Sequence, residues 1–377
     1  MPAPGRFGWR EMAVGGGIVL ATGFVRPLMI GTGVMMGDPR ARLHDLIGTA
    51  AFNYLLWVPL LRALFAGNDD DDIYRDVVPL LFLFLPVVLV PSGPLMHRVL
   101  TLGLAAVGVL FALRWWWPEL AFRQVGRLAM PEGDGYLLNS PTVLFAAVLL
   151  PLLALERLER RPGLPSLLLA FLLCGAAAIA GAALAGAVHR AALIMALSVV
   201  VGFAAWQARR KPLLAVLLLA TLAVAAVGTG QLAGTIQQIV WKTETYGLNE
   251  RSAEAAAVLD QVGASWFDLL LGQGWGTLVR SPAVGDMWVS YTHSFATYML
   301  LKTGVIGCLV TLAYVLSMVP ALFGLMRADA PMAIALLPPL GLGLFAHTSF
   351  KYLCFGLLLS ILNHEKIVRT GRPALQA

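Results

Sequence analysis

The feature that constrains this chain most is its succession of apolar runs of membrane length. They cover residues 12–34, 46–65, 77–90, 99–113, 137–155, 164–188, 191–206, 213–230, 294–322, 332–346 and 352–362. A helical span needs about 20 mostly apolar residues, so a chain of this length holds roughly ten to twelve spans and one sizeable loop. Only 13% of its 377 residues are charged and 59% are hydrophobic. A soluble domain carries about 25% charged residues, so this chain has too little charge to cover a water-facing surface. The sequence predicts an all-α fold, a polytopic transmembrane helical bundle. One integral membrane domain is expected, with N-terminal spans over 1–230, a polar loop over 231–293, and C-terminal spans with a tail over 294–377.

Charge distribution predicts orientation. The net charge of +6 is modest, and the basic residues sit in short clusters between spans, which fits membrane orientation and not nucleic-acid binding. Arg157, Arg160 and Arg161 form one cluster, Arg209, Arg210 and Lys211 a second, and Lys366, Arg369 and Arg372 a third. Even numbers of spans separate them, so all three fall on one side, which the positive-inside rule makes cytoplasmic. The loop 231–293 then lies outside, with the turn at His189 and Arg190. The run Asp69 to Asp72 lies there too, read as a solvated loop. Arg6 and Arg10 stand on the wrong side of this scheme if 12–34 crosses the membrane, but the parity of the later spans does not depend on them. Cys174, Cys308 and Cys354 all lie in apolar runs, and none of the six histidines has metal-ligand spacing. No metal and no cofactor are expected.

Chemistry is expected in the polar loop and where it enters the next span. Arg190 opens the run 191–206, either as an interfacial arginine that snorkels or as an anion ligand. Arg251 follows Asn249, a candidate N-cap, and precedes a helical stripe of Ala255, Leu259, Val262, Trp266 and Leu269. A cation in a first helical turn opposes the helix dipole, which makes sense if an anion binds there. The alternative is a pair with Glu250 or Glu254. The knot Gly272-Gln273-Gly274-Trp275-Gly276 lacks the Lys-Ser/Thr ending of a phosphate loop and predicts a helix stop with a tight return. His293, at the mouth of an apolar run, is a candidate base or proton-bearing donor. Arg280 in the loop is a further candidate for substrate binding, as is Lys351, one turn after His347. His97 also lies near a span end, and nothing else singles it out.

Taken in order, these residues resemble the bacterial O-antigen ligase and O-antigen polymerase superfamily, over roughly residues 181–312. The matching pieces are Gly186-Ala187-Val188-His189-Arg190, then Arg251 with the glycine knot, then His293-Ser294 followed by apolar residues to Gly304-Val305-Ile306-Gly307. Ser294 stands where asparagine is usual, His189 where serine is common, and Lys302-Thr303 where an acidic residue often precedes the first glycine. The resemblance implies metal-independent glycosyl transfer in a bacterial inner membrane, with the large loop periplasmic. The donor would be a glycan on a polyprenyl diphosphate, and the acceptor a hydroxyl of lipid A–core or of another glycan repeat. Surrounding membrane lipids are implied as partners, and nucleic acid is not. Catalytic roles would fall on His293, Arg251 and Arg190, with Arg190 and Arg251 on the diphosphate. His293 would orient or deprotonate the acceptor.

Two other classes compete. A transporter or flippase for a lipid-linked or other amphiphilic anion would use the same arginines, but predicts charges inside several spans and often internal repeats. Only Arg26 stands clearly inside an apolar run in this reading, and no repeat is visible. A structural membrane subunit would leave the ordered arginines and histidine without purpose.

Overall fold

The computed structural model describes residues 39–88, 93–117, 137–209, 237, 240, 251–345 and 349–370. The expected spans 12–34 and 213–230, Asn249 and Glu250, and His347 lie outside the described residues. Helices in order are α1 (Pro39–Ala66), α2 (Asp70–Leu83), α3 (Leu85–Val88), α4 (Gly93–Trp116), α5 (Pro141–Arg160), α6 (Leu164–Gly186) and α7 (Arg190–Ala208). After α7 come α8 (Arg251–Gly263), α9 (Trp266–Leu271), the strands β1 (Val279–Ser281) and β2 (Met287–Val289), then α10 (Phe295–Ser317), α11 (Val319–Ala328), α12 (Ala330–Phe345) and α13 (Leu353–Thr370). Six helical stretches among the described residues are long and apolar enough to cross a membrane, so the all-α bundle stands. The two strands form a small antiparallel hairpin pairing Val279 with Val289 and Ser281 with Met287.

The centre of the bundle is α5. In its most apolar window 78% of residues are buried, against 28% in α4, α7 and α10, because α5 packs on α4, α6, α7 and α12 at once. The outer helices leave Leu309, Leu312, Leu167, Phe171 and Leu197 exposed, as a bilayer permits and water does not.

Two expectations are corrected here. The acidic run is not a loop: the Asp69 side chain caps α2, accepting from the Asp71 amide at 2.9 Å, and Asp70 to Asp72 form its first turn. Carboxylates there complement the positive end of the helix dipole. The expected single stripe after Arg251 is also not one helix. Ser265 caps a new start at Trp266, with its hydroxyl accepting from the Phe267 amide at 3.2 Å. The face that α8 buries is Glu254, Val258 and Val262. Leu259, Trp266 and Leu269 are exposed. Val258 and Val262 join Val279 and Leu301 in a small core of their own, separate from that of the bundle.

The glycine knot ties this segment to two broken helices. Pro59 has no amide hydrogen, so within α1 the carbonyl of Leu55 loses its helical partner; the Trp275 indole Nε1 donates to it at 3.0 Å. In α10 the backbone breaks at Gly304 (φ 67°, ψ −171°). The carbonyls of Leu301 and Lys302 then accept from the amides of Gln273 and Gly274, each at 3.0 Å. Backbone freed inside an apolar helix must find such partners, since lipid supplies none. Gly272 (φ 72°) faces this break, and a Cβ on either Gly272 or Gly304 would sit 2.4 Å from the other's backbone surroundings. The sequence predicted the helix stop at Gly272; that it plugs a broken span is visible only in three dimensions.

Candidate functional site

Three separate stretches deliver the candidate residues to one end of the bundle. The α6–α7 turn is tight: Val188 adopts φ 53°, a strained value for a β-branched residue that costs roughly 1–3 kcal/mol. That turn makes Arg190 the first residue of α7. Arg251 is the first described residue of α8, and the charges of Arg190 and Arg251 act on each other. His293 lies two residues before α10, between the hairpin and the span-length helix.

Glu254 joins them. It sits one turn after Arg251 and is 1% exposed. Its Oε2 accepts from the His293 amide at 2.7 Å, and its Oε1 accepts from the Ser281 hydroxyl at 2.6 Å. The His293 Nδ1 lies 3.2 and 3.3 Å from the two oxygens. Burial by itself raises the carboxyl pKa. The hydrogen bonds from the His293 ring, Ser281 and the His293 amide outweigh it and hold Glu254 below its ordinary value. Glu254 is therefore ionised at neutral pH and can only accept. An acceptor-only Glu254 makes the His293 Nδ1 the donor of this contact. Sequence reasoning noted Glu254 only as a possible partner of Arg251. The pairing found instead is with a histidine 39 residues away, a separation that no local sequence pattern reads.

Arg251 is accordingly left without an acceptor for one donor. Its Nε is buried and has no hydrogen-bond partner among the described residues. Burial pushes the guanidinium pKa down, Glu254 opposes this, and Arg190 adds to it. A buried, uncompensated donor of a charged group costs more than about 1–3 kcal/mol. Two arginines whose charges repel, with one donor open, make a place for an anion.

Lys351 stands at the other arm. It lies in the turn Ser349–Lys351 between α12 and α13, with Nζ 4.5 Å from the Tyr298 ring centroid and 5.7 Å from that of Tyr291. Tyr291 in turn sits 6.1 Å, edge-on, from the His293 ring. Burial lowers the Lys351 pKa to about 8, with Asp76 opposing and Lys302 and Arg75 reinforcing. Cation–π contacts are worth about 0.5–2 kcal/mol, less than the several kcal/mol lost by desolvating an ion. Arg280, by contrast, is exposed, on the β1 face opposite Ser281, and its Nε donates to the Asp286 carbonyl at 3.1 Å. It is not brought into the Glu254–His293 pair.

A second charged constellation was not foreseen. Asp76 of α2 and Lys302 of α10 are both fully buried, with Nζ 2.7 Å from Oδ2. The Asp76 carboxylate also accepts from the Gly276 amide at 2.8 Å and the Tyr298 hydroxyl at 2.9 Å, while Lys302 donates to the Thr277 carbonyl. The reading that left Arg26 alone inside an apolar run is thereby corrected. These charges stay inside because every one of those groups is paired.

Compared with models of known protein families, with curated proteins and with solved structures, the chain matches none of them.

Proposed function

We propose that this protein is a membrane glycosyltransferase of the O-antigen ligase and polymerase type. It would move a glycan from a polyprenyl diphosphate carrier to an acceptor hydroxyl, of lipid A–core or of another repeat, at the periplasmic face of the inner membrane. The observation that carries the reading is a chain of neighbours from three separate stretches, in which Arg190 acts on Arg251, Arg251 on the buried Glu254, and Glu254 holds His293.

The proposed chemistry follows from charge. The acceptor oxygen attacks the anomeric carbon from the face opposite the carrier, forming the new C–O bond as the bond to the diphosphate oxygen breaks. The electron pair leaves on the diphosphate, whose developing charge Arg190 and Arg251 stabilise. The acceptor proton passes to His293 Nε2, and Glu254 steadies the imidazolium that results. In-line attack inverts the anomeric configuration.

The test is reconstitution in vesicles with a polyprenyl-diphosphate glycan and either lipid A–core or excess donor. Transfer by the wild type that is lost in His293→Ala, Arg190→Ala and Arg251→Ala, each correctly folded, supports the reading. Full transfer in all three variants removes the site. Donor crossing the vesicle membrane with no new glycosidic bond would favour the transporter reading instead. That reading draws on Asp76 and Lys302, but their pair is closed and holds the glycine knot, and so offers no vacant binding group.

A further inference from the structure

The geometry points to Lys351 as a second anion site on the other arm of the His293 constellation, and we propose that it holds a phosphate group carried by the acceptor. The word acceptor rests on the glycosyl-transfer reading; the anion site does not.

The Lys351 ammonium is partly buried between Tyr291 and Tyr298, enclosed enough to lose hydration and open enough to be reached. Among the described residues no carboxylate lies within ion-pair distance of it. The one carboxylate that attracts it, Asp76, has Oδ1 engaged by the Tyr298 hydroxyl and Oδ2 engaged by Lys302 and the Gly276 amide. The other charges acting on it, Lys302 and Arg75, are positive. A lysine so placed offers three N–H donors and a point charge, the features that bind phosphate.

Its position relative to His293 gives the site its meaning. His293 connects to Arg251 through Glu254 and to Lys351 through Tyr291. Glu254 and Tyr291 are different neighbours of the base, and each leads to its own cation. If the carrier diphosphate takes the arginine arm, the Lys351 arm belongs to the second substrate. A neutral sugar acceptor would leave that charge uncompensated.

The first experiment needs no catalysis. The full chain in neutral detergent is titrated with orthophosphate and its thermal midpoint followed. Saturable stabilisation is expected in the wild type and in Lys351→Arg, and in Arg251→Ala at reduced amplitude. It is expected to lose its Lys351-dependent part in Lys351→Gln. Equal stabilisation of Lys351→Gln and wild type overturns the site. In nanodiscs, phosphatidylglycerol that abolishes the orthophosphate response identifies a lipid headgroup as occupant and overturns the acceptor assignment. In the transfer assay, Lys351→Gln should raise KM for a phosphorylated acceptor about tenfold or more, and by far less for a dephosphorylated acceptor. An equal rise for both acceptors overturns the proposal. Lys351-dependent phosphate binding in a wild type that transfers no glycan would keep the anion site and reject the glycosyl-transfer reading.

Discussion

The Asp76–Lys302 pair, which joins α2 to α10, and the Glu254–His293 pair, which joins α8 to the segment just before α10, are both acid–base couples, yet they are built to opposite standards. Asp76 and Lys302 are 0% exposed in their side chains, and the carboxylate accepts from an ammonium, a phenol and a backbone amide. Nothing in that network is left open. Glu254 is as deeply buried, but its partner His293 keeps a quarter of its side chain exposed, and Arg251 beside it has an orphan donor. A closed network is a fastening. An open one keeps a donor unspent and a ring within reach of solvent.

This contrast can be broken by mutation, and the largest effect is expected in the closed network. Asp76→Asn leaves the Lys302 charge buried without a counter-ion and should cost about 3–5 kcal/mol of stability. Denaturation in detergent reads this, and a fully stable variant would refute the fastening role. Joining it with Lys302→Met should recover part of the loss. Glu254→Gln should be the reverse case, with transfer falling about 100-fold or more and folding largely kept. The pH profile adds a check. Because Glu254 is held below its ordinary value of 4.5, its contribution to stability is complete above that value and fades as pH falls through the lower folded one. Glu254→Gln should therefore flatten the acid limb of a stability–pH curve.

Next comes Gly304→Ala, whose Cβ would press on Gly272 and Leu270 at a positive φ; about 1–3 kcal/mol of strain is expected, and the calorimetric midpoint measures it. Arg280→Ala should do least. Its exposed side chain meets one carbonyl of its own hairpin, and a change within about 0.5 kcal/mol is expected. A clear loss of transfer in that variant would return Arg280 to the site.

Much of this was legible from residue order. The spans over α4 to α7 follow directly from apolar length, whereas Arg190, Arg251 and His293 were singled out by their order along the chain and its resemblance to a family. The failures share a cause. Hydropathy periodicity placed Leu259, Trp266 and Leu269 on the apolar stripe of one helix, and Glu254 was weighed only as a partner of Arg251. In the fold the carboxylate is buried, because three hydrogen bonds from His293 and Ser281 offset its desolvation. Lys302 looked like a departure from a motif. Its partner Asp76 belongs to a helix that starts in what had seemed a solvated acidic run.

The sequence by itself determined that the chain is a set of long apolar helices, six of them of span length among the described residues, with one long polar stretch set between them. These are local properties, set by how much apolar surface each segment carries. Only the tertiary structure decided which charges are locked and which are open, because pairing depends on groups as far apart as the 222 residues between Asp76 and Tyr298. Burial makes an ion tolerable only once its partners arrive, and those partners come from other helices.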